Sequence, residues 1–259
     1  MALLTHALCI VVPVLDEGPS LALHLGKLQH LRKRGVHIVV VDGGSSDDSL
    51  EIARGLADLA FVAPQGRARQ MNAGAAACTA DMLLFLHADT RLPHNVDTLV
   101  RRATLGRCDW GRFDVAIDSP RAVLRLVGAL MNLRSRWSGI ATGDQAMFVR
   151  QELFHRVVGG FPDQPLMEDV ALSALLKRHG PPACLNERVT TSARRWERHG
   201  LWRTIVLMWR LRAAYFFGAD PVKLALRYGY RPPKPLNCCS RCRSPSWPRR
   251  RYRGWPRRG

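Results

Sequence analysis

The first hundred residues alternate short, β-branched apolar runs with stretches whose apolar positions recur at helical spacing. Ala7–Val14 (ALCIVVPV) predicts a buried strand. Gly18–Arg34 predicts a helix, with Pro19 near its start and Leu21, Leu25, Leu28 and Leu31 on one face. Val36–Val41 (VHIVVV) is a second strand, running into Asp42-Gly-Gly-Ser-Ser-Asp47; Leu50, Ile52, Ala53 and Leu56 then mark another helix. Ala60–Val62 is a short third strand, and the Ala-rich segment from Arg67 to Cys78 reads as helical. Met82–Leu86 (MLLFL) is a fully apolar strand ending in His87-Ala-Asp89-Thr90, with Pro93 opening the next helix. Strands alternating with helices in this way predict an α/β fold with a mostly parallel central sheet flanked by helices.

The second half is less regular. Trp110–Asp118 alternates as a strand, Arg121–Arg134 has the period of an amphipathic helix, and Asp144–Arg150 is strand-like before a Gly159-Gly160-Phe161-Pro162 turn. Met167–His179 predicts a helix with Glu168 and Asp169 in its first turn, where the macrodipole favours acids. Leu201–Gly218 is apolar but carries Arg203, Arg210 and Arg212. From Pro232 the chain is Pro, Arg, Ser and Trp without period, which predicts a disordered tail. One domain over 1–230, with halves at about 7–110 and 111–230, and a basic tail over 231–259 is the expected organisation.

Composition narrows the class. The 259 residues are 47% hydrophobic and 23% charged, which excludes fibrous, collagen-like and wholly disordered chains. No apolar run approaches the roughly 20 residues of a spanning helix, and the N-terminus lacks the pattern of a signal peptide. Net charge is +18, but Leu236–Gly259 holds eight arginines and no acid, and subtracting them leaves +10. Such a surplus suits a nucleic acid, an anionic membrane or a phosphate-bearing small substrate, and charge alone does not choose. Trp247, Tyr252 and Trp255 interleave the tail, where they could stack on bases. No recognised nucleic-acid motif accompanies them, so a nucleic-acid partner is the weakest reading. Among seven cysteines, Cys9, Cys78, Cys108 and Cys184 lie scattered in apolar surroundings as reduced core thiols would. Cys239-Ser-Arg-Cys242 is a lone CxxC, too little for a zinc site. A reducing, cytoplasmic location is the expectation.

Three strands end in polar clusters, Asp16/Glu17, Asp42 and Asp89, and open α/β sheets bind ligands at the carboxyl ends of their strands. Asp42 either accepts hydrogen bonds from a nucleobase or ribose, or caps the helix that follows. No GxGxxG turn is present, which argues against hydride transfer from a dinucleotide. Asp89, with His87 two residues earlier on the same face, suits a divalent cation bridging phosphates, Mg²⁺ or Mn²⁺, or else simply closes a turn. Arg67 and Arg69 would meet the same phosphates, or face solvent. Either acid of Glu168-Asp169 would serve as general base against an acceptor hydroxyl, or only complement the helix dipole.

Taken together and in order, IVVPVLDE (Ile10–Glu17), VVVDGGSSDDS (Val39–Ser49), FLHADT (Phe85–Thr90) and MEDV (Met167–Val170) resemble glycosyltransferase family 2, of the GT-A, nucleotide-diphospho-sugar transferase-like fold. The resemblance covers residues 7 to 230. GRARQMNAGA (Gly66–Ala75), GDQAMFVR (Gly143–Arg150) and VTTSARRWERHG (Val189–Gly200) look like the bacterial subfamily described as radical-SAM/selenodomain-associated transferase 2, or arsenosugar-biosynthesis glycosyltransferase. The resemblance implies a nucleotide-diphospho-sugar donor, an acceptor hydroxyl it does not identify, and single-displacement, inverting transfer. Pro13, Val14, Asp16 and Glu17 would line the nucleotide pocket, with Asp42 and Gly43 at the base and ribose. Asp89 would hold Mn²⁺ or Mg²⁺ on the diphosphate with His87 beside it, and Asp169, paired with Glu168, would be the base. Arg195-Trp196 matches the RW of a QxxRW motif found in processive relatives, without its Gln. Three departures stand out: His87 replaces the first Asp of DxD, Gly43 the second Asp of VDDGS, and Asp16 an Asn.

His87 also leaves room for a non-catalytic nucleotide-binding protein of the same fold. In Leu201–Gly218, Trp202 and Trp209 stand seven apart, as do Arg203 and Arg210. Such a helix either packs on the sheet or rests on the inner face of an anionic membrane.

Overall fold

A computed structural model describes residues 8–106 and 108–230, apart from the side chains of Arg195 and His199. The expectations for the tail from Pro232, with its three cysteines and interleaved aromatics, lie outside the described residues.

The described residues form one sheet of eight strands: β1 (Leu8–Val14), β2 (His37–Asp42), β3 (Leu59–Val62), β4 (Met82–Phe85), β5 (Thr90–Arg91), β6 (Trp110–Asp118), β7 (Phe148–Arg150) and β8 (Ala183–Ser192). Their spatial order is β3-β2-β1-β4-β7-β6-β8-β5. Four of the seven pairings are parallel: β1 with β2 and β4, β2 with β3, and β6 with β8. β7 runs antiparallel to both β4 and β6, and so joins the two halves of the chain in one sheet. The helices are α1 (Gly18–Arg32), α2 (Ser49–Leu56), α3 (Arg67–Ala77), α4 (Val96–Leu105), α5 (Ala122–Ser138), α6 (Glu168–Leu176), α7 (Arg194–His199), α8 (Leu201–Phe216) and α9 (Pro221–Tyr228).

The period-two alternation of a strand covered on both faces is visible in β1. Ile10, Val12 and Val14 enter the core layer under α1 and α4, while Cys9 and Val11 enter the opposite layer under α3 and α6. Gly74 lets α3 lie close on the sheet: a Cβ there would stand 2.4 Å from Val11 Cγ1 and 2.9 Å from Val41 Cγ2. Gly74→Ala is therefore expected to destabilise the fold by about 1–3 kcal/mol through overpacking. Denaturant unfolding reads this out, and an unchanged midpoint would refute the close approach.

The structure departs from the sequence reading in several places. Only Phe148–Arg150 of the strand-like run at 144–150 is extended. Gly143–Gln145 is a 3₁₀ turn, and Ala146 at φ +45° breaks the extended path between them. β8, which the sequence did not announce, has exposed Asn186, Glu187 and Arg188 at its middle, beside a register shift against Phe113/Asp114. The helix expected from Met167 begins at Glu168, because Met167 has a left-handed φ of +63°, and after Leu176 it tightens to a 3₁₀ turn over Lys177–His179. Cys9 and Cys78, read as reduced thiols, instead form a disulfide. Packing α3 against β1 brings their Cα atoms to 6.3 Å across 69 residues of sequence. Cys108 and Cys184 are free. The cytoplasmic expectation thus loses the support it drew from the first pair. No helix among the described residues is long and apolar enough to cross a membrane.

Candidate active site

The carboxyl ends of β1 and β2 lock together through short polar side chains. Asp16, at φ +53°, accepts from the Ser46 backbone N–H at 2.8 Å, and its own N–H donates to Ser45 Oγ at 2.9 Å. The Glu17 N–H donates to Ser49 Oγ, and the Gly18 N–H to Asp47 Oδ2, each at 2.9 Å. Asp42 is buried, and its carboxylate holds its own turn: Oδ1 accepts from the N–H groups of Gly44 and Ser45 at 2.7 Å, and Oδ2 from Ser45 Oγ at 2.5 Å. Asp42 therefore does not cap α2, the alternative the sequence offered: in this conformation its contacts hold its own turn, and α2 begins only at Ser49. Val14 is also buried, and its carbonyl accepts from Gly43 N–H and from Gln70 Nε2. Gln70, which sequence reasoning left without a role, sits inside α3 and donates to Val14 and Val41 carbonyls at 2.8 and 2.9 Å. A Cβ on Gly43 would press on its amide at 3.1 Å. Pro13 is half-buried at this edge.

The end of β4 faces the second half of the chain. His87 is mostly buried, with Nδ1 3.4 Å from Asp144 Oδ1, and its Nε2 edge covers Gly143 so closely that a Cβ there would lie 2.4 Å away. Asp169 Oδ2 accepts from the Gly143 N–H at 2.6 Å and its Oδ1 from the Val170 N–H at 2.7 Å. Glu168 is buried, 3.7 Å from the half-exposed guanidinium of Arg67 on α3. His87, Asp144, Gly143, Asp169, Glu168 and Arg67 thus form one continuous polar cluster at the seam of the two halves. Asp89 stands beside it, half-buried, with its Oδ1 accepting from Thr90 Oγ1 at 3.3 Å.

The electrostatics of the cluster are mutual. Burial pushes the Glu168 carboxyl above its ordinary value and the Asp169 charge adds to this, while Arg67 pulls it back. At Asp144 burial also works against the charge, but the His87 hydrogen bond and the charges of His87, Arg67 and Arg212 outweigh it and hold the carboxyl low. Burial opposes the Arg67 charge, yet Glu168, Tyr228, Asp144 and Asp169 together raise its pKa.

Other predicted residues sit differently. Arg69 is taken up by Asp163, to which it donates through Nε and Nη2 at 2.8 and 3.1 Å. Trp196 packs on Ile117, Leu124 and Ala193. Arg195 has its backbone in α7, and its side chain lies outside the described residues. Its neighbour Arg194 reaches Glu17 Oε2 at 3.4 Å, which draws the start of α7 to the end of β1 across 177 residues. Asp144 was part of a quoted string but received no role. Its signal would have been an acid beside a glycine at the head of an otherwise apolar run.

Among the described residues, the non-glycine positions with left-handed φ are Asp16, Ala146 and Met167. One ends β1, one follows the Gly143–Gln145 turn, and one precedes Glu168-Asp169, so all three border this site. Backbone held this way costs of order 1–2 kcal/mol per residue and persists where packing over-determines it.

No group of three or more His, Cys, Asp or Glu among the described residues is arranged to hold a metal on its own. One partly exposed carboxylate nevertheless fits Mg²⁺ or Mn²⁺, which commonly use one or two carboxylates and take their other ligands from substrate phosphates and water. Asp89 has the chemistry and the accessibility for that; His87 would reach an ion only by leaving Asp144.

Residues 9–147 match the family model described as glycosyl transferase family 2. The PGL/p-HBAD biosynthesis glycosyltransferases of Mycobacterium bovis and Mycobacterium tuberculosis are 28% identical over 158 residues, covering 57% of this chain and 58% of theirs. The chain therefore spans little more than half the length of those relatives. Among solved structures, residues 1–349 of TarS from S. aureus superpose with a TM-score of 0.59 at 16% identity, over 72% of this chain and 60% of that one. Glucosyl-3-phosphoglycerate synthase from Mycobacterium tuberculosis, in complex with Mn²⁺, UDP and glucosyl-3-phosphoglycerate, superposes with 0.51 at 17% identity, over 72% and 71%. At these identities the likeness is one of fold, and the fold is GT-A-like.

Proposed function

The chain belongs to glycosyl transferase family 2, and on that premise we propose that it moves a sugar, with inversion, from a nucleoside-diphosphate donor to an acceptor hydroxyl. The observation that carries this reading is the polar cluster at the seam, where α6 presents Asp169 to the end of β4 within reach of Gly143. Within it Asp169 is the general base. Two backbone N–H groups fix its carboxylate and leave a lone pair on each oxygen for the acceptor's proton. Glu168, buried and raised in pKa, keeps Arg67 beside it rather than taking the proton itself.

Pro13, Val14, Asp16, Glu17, Asp42 and Gly43 form the nucleotide end, mainly through backbone held rigid by the interlocked turns. Asp89, with His87 as a second donor, would hold a divalent ion on the diphosphate, and such an ion neutralises charge that develops as the nucleoside diphosphate departs. Arg67 adds positive charge beside Glu168, and Arg69 joins it only by giving up Asp163; Arg195 is assigned the same role from its sequence match alone. The unit is residues 1–230 as one domain, and the quoted strings favour the radical-SAM/selenodomain-associated transferase 2 subfamily. UDP is the nucleotide to try first, because TarS and glucosyl-3-phosphoglycerate synthase were crystallised with it. Calorimetric titration of UDP with and without Mn²⁺ tests the reading: saturable binding strengthened by the ion is expected, and no binding under either condition overturns it. A non-catalytic nucleotide-binding protein has one observation in its favour, the engagement of His87 with Asp144. Sugar-donor turnover to free UDP separates the two.

We also propose that the acceptor is reached at a membrane surface. Trp202, Val206, Trp209 and Phe216 stand exposed along α8, and Leu126, Leu130, Leu133 and Trp137 along α5, with Trp137 95% exposed. Neither helix, nor α9, carries an acid, whereas Arg125, Arg203, Arg210, Lys223 and Arg227 border these stripes. Apolar stripes edged only by cations complement an anionic bilayer. Flotation with phosphatidylserine vesicles is expected to carry the protein, and Trp202→Ser/Trp209→Ser to release it. Equal flotation of both proteins, or none of either, refutes the contact.

A further inference from the structure

Arg134, on the last turns of α5, and Arg212, on α8, hold donors that reach no acceptor although they are shielded from solvent: Nε and Nη2 of Arg134, and Nε of Arg212. Neither belongs to the machinery assigned above. Nε and Nη2 are the two donors of one edge of a guanidinium, the fork that takes a carboxylate or phosphate side-on. This chain uses that same edge elsewhere: Arg69 grips Asp163 with it, and Arg32 grips Asp58.

No acid among the described residues is paired with either arginine. Asp114 is engaged by Arg112 and by Arg136, at 2.8 Å from the latter. Asp144 is engaged by His87, and both oxygens of Asp169 accept from backbone N–H groups. The charges of Arg134 and Arg212 instead oppose each other. Burial, followed by the charge of Arg212, depresses Arg134 to about 10, with Asp169 opposing and Arg112 adding to the effect. Arg134 remains charged at neutral pH all the same, and a buried guanidinium with unmade hydrogen bonds is destabilising unless an anion meets it.

Position sets which anion. α5 packs over β6, where Asn132 pairs with both backbone groups of Val115 at 2.8 and 3.0 Å. Leu211, next to Arg212, packs with Met167 at the start of α6. In the strand order β2-β1-β4-β7-β6, the nucleotide end lies on one side of the seam and these arginines on the other.

We propose that Arg134 and Arg212 form an oxyanion subsite that seats a phosphate or carboxylate of the acceptor, across the Glu168-Asp169 pair from the donor. The subsite stands on the arginines alone; its assignment to an acceptor rests on the glycosyl-transfer reading. It makes the acceptor an anionic hydroxyl compound, with the charged group held while Asp169 faces the hydroxyl.

The test uses the full chain, inorganic phosphate and UDP as separate calorimetric probes, and the variants Arg134→Met and Arg212→Met. Phosphate is expected to bind, and each variant to weaken it by about tenfold or more, while UDP affinity stays within about twofold. Melting without phosphate supplies a second readout: removing one of two mutually opposed cations with shielded, unpaired donors is expected to raise Tm, whereas a purely structural role would lower it. Absence of phosphate binding, phosphate affinity unchanged in both variants, or a Tm that falls in both overturns the subsite. A parallel fall in UDP affinity overturns the acceptor assignment, because the diphosphate would then be the anion held. Arginine-dependent phosphate binding in a chain that binds no UDP also removes the acceptor assignment, by removing glycosyl transfer, and leaves the subsite in place.

Discussion

Asp169→Asn is expected to lower acceptor-dependent release of nucleoside diphosphate by about 10³-fold, within the range that a positioned general base contributes, while UDP binding changes by less than about twofold. The substitution keeps the size of the side chain, and the amide oxygen can still accept from Gly143 N–H, at 2.6 Å in the native carboxylate. What it removes is an oxygen able to take the acceptor's proton. A mild local cost follows as well, because the amide nitrogen would face the Val170 N–H that now donates to Oδ1. That cost falls on α6, away from the turns at the ends of β1 and β2 that form the nucleotide end, so nucleotide affinity is the control for folding. If UDP affinity and turnover fall together, Asp169 is holding the site rather than performing the chemistry. If turnover survives, the base lies elsewhere in the cluster, and Asp144, held ionised beside His87, is the next group to change.

The strands proposed to carry the nucleotide end were legible because each is a largely apolar run closed by polar residues. Met82–Phe85 and His37–Asp42 lie within a residue or two of where hydropathy places them. The turn-holding role of Asp42 was not legible: the sequence offered a ligand or a helix cap, and an acid after a strand serves a turn as readily as either. The seam was not legible. His87 and Asp144 meet because β4 pairs antiparallel with β7, a three-residue strand too short to leave a period in the sequence. The pairing of Cys9 with Cys78 depends on how closely α3 packs on the sheet, which rests on Gly74. β8 was obscured by Asn186-Glu187-Arg188, polar residues exactly where alternation would have marked a strand. Arg134 and Arg212 look like ordinary cations of amphipathic helices until the fold brings them near enough for the charge of one to oppose the other. Local periodicity places the long, apolar elements, while the chemistry comes from contacts between elements distant in sequence.

Asp89→Ala is expected to abolish the Mn²⁺-dependent part of UDP affinity, a loss of about 100-fold or 2.7 kcal/mol, leaving only the weak metal-independent binding. The size of the effect follows from the ligand set. With no three-residue metal cluster among the described residues, a single carboxylate would supply most of the protein's charge to the ion, and no neighbour stands ready to replace it. The fold should tolerate the change. The one hydrogen bond assigned to the Asp89 carboxylate is a long one from Thr90, and Thr90 is anchored independently by β5 pairing to Thr191. Asp42→Ala is the contrasting variant, because three donors depend on that carboxylate and its loss should unfold the turn with or without metal. UDP binding with the same Mn²⁺ dependence in wild type and Asp89→Ala would sink the assignment of Asp89. UDP binding indifferent to Mn²⁺ in both would mean that His87, at the position of an acid in the family's DxD motif, marks a site that meets the diphosphate with arginines instead. Either result is separable from misfolding, since Asp89→Ala should melt within a degree or two of wild type.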